Sequence, residues 1–159
     1  MLKPTLSALL ISLAAFGGVS ASHAKDQVAM PSSAADHTAA MRDALQASRQ
    51  WIEHFNAGNA QACADAYAEQ AVMEAKPFGT FTGQAAIRAF WTDLINQKGA
   101  KDLRYTNIKV EMVDAQTMLL SADWRMNIGG GHISRERWVE HKGRWVLAED
   151  RFAVLFQTP

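Results

Sequence analysis

The sequence has little of three things that would define a class of protein: cysteine, an excess of one charge, and long apolar runs. Cys63 is the only cysteine in 159 residues, so an internal disulfide is excluded. Its neighbours, Ala62 and Ala64, favour a small buried side chain over a reactive thiol. The 16 Lys and Arg residues equal the 16 Asp and Glu residues. A neutral balance argues against nucleic acid as a partner, because nucleic-acid binding depends on clustered positive charge.

The longest uncharged stretch lies near the amino terminus and has the pattern of a secretory signal peptide. Lys3 precedes an uncharged run from Pro4 to Val19, and small residues follow at Ser22 and Ala24. The run is shorter than the ~20 residues that a membrane-spanning helix needs. We therefore expect cleavage after Ala24, a periplasmic or secreted product, and no attachment to the membrane after cleavage.

The remaining chain is predicted to contain one domain. Residues 1–24 form the signal peptide, residues 25–35 a flexible leader without a hydrophobic period, and residues 36–159 the folded domain. Removal of 24 of the 159 residues leaves 135, which suits a single hydrophobic core.

Helical and strand patterns follow one another in a simple order. Helices are predicted from Asp36 to Gly58, from Asn59 to about Tyr67 or Ala68, and after Gly83. A strand broken by a turn occupies residues 71–82. Four stretches with a period of two follow at 105–113, 116–128, 132–142 and 144–156, joined by short turns and by the glycine run 129–131, which we interpret as a flexible hairpin. Short joins make neighbouring strands antiparallel, so the pattern indicates an α+β fold with three helices covering one face of a sheet.

Four short pieces of the chain occur in an order that is typical of a known superfamily. They are residues 51–59 (WIEHFNAGN), 67–72 (YAEQAV), 82–90 (TGQAAIRAF) and 143–146 (GRWV). Together they resemble the nuclear transport factor 2-like superfamily, in its SnoaL-like and ketosteroid-isomerase-like branch. The resemblance implies three N-terminal helices packed on a strongly curved, mostly antiparallel sheet, which forms a cone with an apolar pocket. It also implies a homodimer formed through the exposed sheet face, with which outward Ile133 and Val139 are compatible.

The resemblance implies a general base as well. In the isomerase-like branch, the strand before the third helix carries a carboxylate at the pocket wall, and counting back from Gly83 without gaps places Glu74 there. Apolar neighbours would raise its pKa and make it a better proton acceptor near neutral pH. The alternative is that Glu74 faces solvent or pairs with Lys76 on the same side of its strand.

The oxyanion donors of that branch are not reproduced in this sequence. The position on the first helix is Trp51, whose indole N–H has a different reach, and the later-strand position falls at Glu136 or Arg137. The sequence therefore does not predict steroid isomerisation.

The other pocket candidates are aromatic residues and one acid. Asp150 shares a predicted strand face with Val146 and Val154, and a lone buried acid needs a partner. Arg125 or Arg137 on neighbouring strands would meet that need, in a structural ion pair or in one that orients a ligand. The predicted ligand pocket comprises Trp51, Tyr67, Trp91, Trp124, Trp138 and Asp150.

No metal site or cofactor is predicted. His132, Glu136 and Glu140 would share a strand face, but four positions along a strand separate side chains by about 13 Å, too far for one ion to bridge.

We thus expect an exported protein that binds a small apolar ligand, as an isomerase or lyase acting on an apolar carbonyl compound with Glu74 as general base. The alternatives are a non-catalytic binding or accessory module, and a structural homodimer with a filled cone. The first requires Glu74 to face an open pocket, the second requires room without a usable base, and the third requires neither.

Overall fold

The computed structural model describes residues 34–158. The predicted signal peptide, residues 25–33 of the predicted leader and the last residue, Pro159, lie outside the described residues. Ala34 and Ala35, which the sequence pattern places in the leader, begin the first helix, α1 (Ala34–Asn56). No helix within residues 34–158 is both long enough and apolar enough to cross a membrane.

Helix α1 is amphipathic and ends at a glycine, as the sequence predicts. It buries Ala44, Ser48, Trp51 and Phe55 along one side. Gly58 follows with a φ of 75°, and its N–H donates to the carbonyl of Phe55 at 3.0 Å. A left-handed residue at this position closes the helix, and glycine adopts that conformation without steric cost.

The second helix, α2 (Ala60–Asp65), is shorter than the sequence pattern suggests. The side chain of Asn59 caps it by accepting the N–H of Ala62 at 3.0 Å. Tyr67 is not at the end of this helix. It is the first residue of strand β1 (Tyr67–Lys76), and a short turn connects β1 to β2 (Gly79–Thr82).

The third helix, α3 (Gln84–Thr92), begins after Gly83 and continues into a π-helical turn at Asp93–Gln97. It buries Ile87 and Trp91, while Ile95 in the π-helical turn is buried too. The chain then enters a meander of four strands: β3 (Arg104–Asp114), β4 (Thr117–Met126), β5 (Gly129–His141) and β6 (Arg144–Gln157). The four strands predicted from the period of two are thus confirmed.

All six strands form one sheet in the order β2-β1-β6-β5-β4-β3. Neighbours are antiparallel except β1 and β6, which run parallel. The helices pack on the inner face of this curved sheet, so the predicted α+β cone is confirmed. On β4, alternate residues Met118, Leu120, Ala122 and Trp124 are buried on the inner face, whereas their neighbours are less so.

A bulge in β5 changes which of its side chains face inward. Leu120 and Ala122 on β4 pair with Glu136 and Ile133, so β5 has one residue more than β4 between these pairs. Both Ile133 and Glu136 therefore face the core, and His132 lies exposed on the other side. The expectations that Ile133 faces outward and that His132 and Glu136 share a face are wrong for this reason.

The glycine run is part of a packed strand, not a flexible hairpin. Gly129, Gly130 and Gly131 are all buried in β5. A Cβ on Gly131 would lie 1.9 Å from the carbonyl oxygen of Ala153 and 2.7 Å from the indole ring of Trp124. The absence of a side chain lets the ring of Trp124 lie directly against the backbone of the neighbouring strand.

Candidate functional site

A cavity of about 110 Å³ lies between the helices and the inner face of the sheet. Most of its wall is aromatic. The rings of Trp51 and Trp91 meet edge to face with centroids 5.1 Å apart, and Phe152 stacks on Trp91 at 5.9 Å and contacts Trp124 at 6.2 Å. The space is large enough for several water molecules or a small organic ligand. Its walls favour an apolar molecule.

One carboxyl group, that of Asp150, lies at the wall of this cavity. Asp150 is 4% exposed, and its Oδ2 accepts a hydrogen bond from the hydroxyl of Tyr67 at 2.7 Å. The indole N–H of Trp91 donates to the same hydroxyl at 3.3 Å. Within residues 34–158, the second carboxylate oxygen, Oδ1, has no hydrogen-bond partner. Oδ1 of Asp150, a residue at the cavity wall, therefore has free hydrogen-bonding capacity.

A second acid, Glu136, lies directly across the strands from Asp150. The two residues are paired in register between β5 and β6, and Glu136 is 2% exposed. Tyr105 donates its hydroxyl to Oε1 at 2.9 Å, and the indole of Trp138 donates its N–H to Oε2 at 2.7 Å. Both oxygens of Glu136 are thus occupied by neutral donors, and Glu136 itself does not line the cavity.

Burial makes both acids hold their protons unusually strongly. Desolvation raises the pKa of Glu136 from 4.5 to about 7, against the lowering effect of the hydrogen bonds from Trp138 and Tyr105. Desolvation also raises the pKa of Asp150 well above its usual value, and the nearby charge of Glu136 adds to this effect. Because Oδ2 of Asp150 accepts from Tyr67, the proton of the neutral acid belongs on Oδ1. The protonated form of Asp150 would then carry its O–H on the oxygen that has no partner.

Glu74, the predicted general base, is directed away from the cavity. Its neighbours on β1, Met73 and Ala75, are completely buried in the core, so alternation along the strand turns Glu74 to the outer face. There its carboxylate lies 3.6 Å from the guanidinium of Arg151, and its side chain is 34% exposed. The inward-facing residue of β1 is one position earlier than expected: Met73, and not Glu74, pairs with Asp150. The expected pairing with Lys76 is not seen either.

The outer face carries a group of charged residues around Glu74. Glu149 lies 3.7 Å from Arg135 and 3.6 Å from Arg137, and it contacts Arg151 as well. We call Glu74, Glu149, Arg135, Arg137 and Arg151 the outer charge cluster. Arg137 is thus engaged with Glu149 and not with Asp150. The predicted arginine partner of Asp150 is replaced by the hydroxyl of Tyr67, because Arg137 and Asp150 lie on opposite faces of the sheet.

The structure brings most of the predicted pocket residues together. Trp51, Trp91, Trp124 and Asp150 line the cavity. Tyr67 and Trp138 lie behind its wall, where they hold the two acids. Sequence reasoning missed Tyr105, which lines the cavity and binds Glu136. A signal for Tyr105 was its position at the start of a strand as one of only two tyrosines in the chain.

Trp51 cannot serve as an oxyanion donor. Its indole N–H is already donated to the carbonyl of Cys63 at 3.1 Å. Cys63 itself is completely buried, and desolvation raises the pKa of its thiol to about 12. The thiol therefore stays protonated and unreactive at physiological pH.

The described part of the chain contains no group of three or more His, Cys, Asp or Glu side chains that are close enough to hold a metal ion.

Comparison with known proteins identifies the family to which these features correspond. A family model for the SnoaL-like domain matches residues 48–156, which include the cavity and both acids. A search among functionally curated proteins gave no match.

Solved structures share the fold at low sequence identity. A candidate scytalone dehydratase from Novosphingobium aromaticivorans superposes with a TM-score of 0.67 at 15% identity, covering 78% of this chain and 89% of that one. A type 2 hexachlorocyclohexane dehydrochlorinase gives 0.63 at 15%, covering 80% and 93%. A protein from Catenulispora acidiphila, solved in complex with S-DNPA, gives 0.61 at 12%, covering 74% and 94%. Such identities establish a common fold and leave the ligand open.

Proposed function

This chain belongs to the SnoaL-like domain family, and we propose that it binds a small, neutral, largely apolar molecule through a carbonyl oxygen that accepts a hydrogen bond from Asp150. One observation carries the proposal: the buried carboxyl of Asp150 has an oxygen without a partner at the wall of an aromatic cavity. A buried polar atom normally has a hydrogen-bond partner, so a ligand with an acceptor would complete the site.

The charge of the site supports a neutral ligand. Asp150 and Glu136 lie side by side, and within residues 34–158 no Lys or Arg forms an ion pair with either acid. At Asp150, a carboxylate ligand would bring a negative charge with no cation paired to it, and its own desolvation would be uncompensated, because Lys98 at the cavity wall pairs with Asp93 at 3.2 Å. A ketone, aldehyde or lactone avoids both costs and offers lone pairs to the proton on Oδ1.

A second proposal is catalytic. Asp150 as a neutral acid would stabilise the negative charge that develops on a carbonyl oxygen when a proton is removed beside it, which is the demand of an isomerase or lyase reaction. The presence of a candidate dehydratase and a dehydrochlorinase among the structural neighbours supports this reaction class. With Glu74 on the outer face, no base within the described cavity matches the role that the sequence predicts for it, so ligand binding is the better supported function.

The experiment is a calorimetric titration of the purified protein with neutral cyclic ketones and lactones, beside carboxylic acids of the same size. We expect binding of a neutral carbonyl compound and no binding of its acid counterpart at pH 7. Asp150→Asn keeps a donor and should retain affinity, whereas Asp150→Leu should lower it by about tenfold, as expected for one buried hydrogen bond. Glu74→Gln is the matched control and should bind like the original protein.

Equal affinity of Asp150→Leu and the original protein for every ligand would contradict the role of Asp150. If no neutral compound binds, the cavity belongs to the core of a structural protein. Turnover of a ligand that binds, followed by its absorbance or by NMR, distinguishes the catalytic proposal from simple binding.

We also propose that the protein acts outside the cytoplasm, because of the signal-peptide pattern before Lys25. Sequencing the amino terminus of protein recovered from its native cell would test this, and a mature chain that begins at Met1 would contradict it. The proposed homodimer no longer has support from Ile133, which is buried, and sedimentation analysis would decide it.

A further inference from the structure

A second unsatisfied polar atom belongs to Trp124, another residue of the cavity wall. Of the four tryptophans predicted for the pocket, three donate their indole N–H to the protein: Trp51 to Cys63, Trp91 to Tyr67 and Trp138 to Glu136. Trp124 is 8% exposed and lines the cavity, but its Nε1 is buried with no partner within residues 34–158. Buried indole N–H groups usually have an acceptor, so Trp124 is the exception that needs an explanation.

Close packing fixes the position of the Trp124 ring. Gly131 lies directly opposite on β5, and any side chain there would meet the indole at less than 3 Å. On its other side the ring contacts Phe152, which is next to Asp150 on the inner face of β6. The position of the N–H is therefore determined by packing on both sides of the ring.

The register of the sheet separates this N–H from Asp150. Trp124 pairs with Gly131, which pairs with Val154, four residues further along β6 than Asp150. The backbones of Trp124 and Asp150 are thus about 10 Å apart across two strand spacings and roughly 13 Å apart along the strands. Side chains of this length leave a gap of several ångströms between the two donors. A single ligand oxygen is too small to bridge it.

We infer that Trp124 is a specificity-determining residue and that the ligand has two acceptor atoms, one at each end of an apolar middle. The first acceptor is the carbonyl oxygen at Asp150, as in the proposed function on which this inference rests. The second accepts the N–H of Trp124, and the apolar middle lies along Trp91 and Phe152. A cyclic compound with two carbonyl groups on opposite sides has this chemistry.

The test compares cyclohexane-1,4-dione with cyclohexanone, which differ by one carbonyl at nearly constant size. We expect the dione to bind the original protein about 3- to 10-fold more tightly, the range for one additional hydrogen bond. Trp124→Phe keeps an aromatic ring but removes the N–H, and it should make the two affinities equal. Trp51→Phe is the control, because it alters the same cavity without removing a free donor, and it should keep the preference for the dione.

Two results would overturn the inference: equal affinity of the two compounds for the original protein, including no binding of either, or a dione preference that persists in Trp124→Phe. The latter contradicts only the role of Trp124. Failure of the proposed function has a different signature, in which Asp150→Leu leaves the affinities for both compounds unchanged. Thermal denaturation of each variant establishes that it is folded.

Discussion

The two faces of the sheet carry acids in opposite surroundings. On the inner face, Glu136 and Asp150 are held by the hydroxyls and indole N–H groups of neutral aromatic residues. On the outer face, Glu74 and Glu149 lie among the solvent-exposed arginines of the outer charge cluster. The two surroundings lie close together, because Glu149 on the outer face directly precedes Asp150 on the inner face.

The difference shows that burial and partner type decide what a carboxyl group can do. On the inner face, desolvation raises the pKa of the acids, and no nearby cation among the described residues stabilises the carboxylate form. The neutral donors do not offset this effect fully. Arginines in water stabilise the charged form and make an ion pair of modest strength. Of these acids, only Asp150 lies at the cavity wall, where it could present a neutral carboxyl group to a ligand.

Among the variants that test this comparison, Glu136→Gln should have the largest effect, and the effect is on how stability depends on pH. The pKa of Glu136 is about 7 in the folded protein, whereas its ordinary value, which applies to the unfolded chain, is 4.5. Between these values the folded state holds more protons, so this group makes the protein less stable as pH rises. The full loss amounts to roughly 3 kcal/mol, at about 1.4 kcal/mol per pKa unit.

Glutamine should remove that contribution, because it resembles the protonated acid and never ionises. The hydroxyl of Tyr105 can turn to accept from the amide, while Trp138 still donates to its oxygen. In urea denaturation at a series of pH values, the variant should therefore gain stability relative to the original protein between pH 4 and pH 8. Glu74→Gln should follow the original profile. The same pH profile in Glu136→Gln and the original protein would show that folding does not raise the pKa of Glu136.

Tyr67→Phe should have the next largest effect. The change leaves both Oδ2 of Asp150 and the N–H of Trp91 without a partner in a completely buried site. An unsatisfied buried group costs about 1–3 kcal/mol, so we expect a loss of that size in the free energy of unfolding.

An exposed hydrogen bond of the outer face supplies the control for Tyr67→Phe. Ser134 donates its hydroxyl to the carbonyl of Arg151 at 3.2 Å. Ser134→Ala should cost within about 0.5 kcal/mol, since water replaces the lost partner. A larger loss in Ser134→Ala than in Tyr67→Phe would mean that the inner network contributes little to stability.

The fold could be predicted from local sequence signals, and the structure agrees with them. Gly58 and Asn59 mark the boundary between α1 and α2 because each supplies a capping conformation or a capping side chain. The strands of the meander follow from a period of two and from predicted joins of one to three residues. These signals are local, and tertiary packing did not override them.

The site could be predicted only in part, because it depends on features with no local signal. The bulge in β5 turns both Ile133 and Glu136 inward, and its position is set by pairing with β4 and β6. Counting back from Gly83 misplaced the inward residue by one, because the buried Met73 and Ala75 determine the phase of β1. The sequence pattern places Tyr67 at the end of a helix, whereas Tyr67 begins the strand beside β6 and is thereby the partner of Asp150.

Glu74→Gln should have the smallest effect, and it tests the original assignment most directly. The ion pair with Arg151 at 3.6 Å is exposed to solvent, and such pairs contribute about 0–1 kcal/mol. We therefore expect a small change in the urea midpoint and no change in ligand affinity or in any turnover. Arg151→Gln also removes the contact with Glu149 and should therefore cost more than Glu74→Gln, and the double variant should match the sum of the two single changes within about 1 kcal/mol. A loss of turnover in Glu74→Gln without a loss of stability would mean that Glu74 reaches the ligand in a conformation with a different β1 register. Because the register of the structure places Met73 beside Asp150, a shift that turns Glu74 inward would change the environment of Asp150, which the pH dependence of ligand binding would reveal.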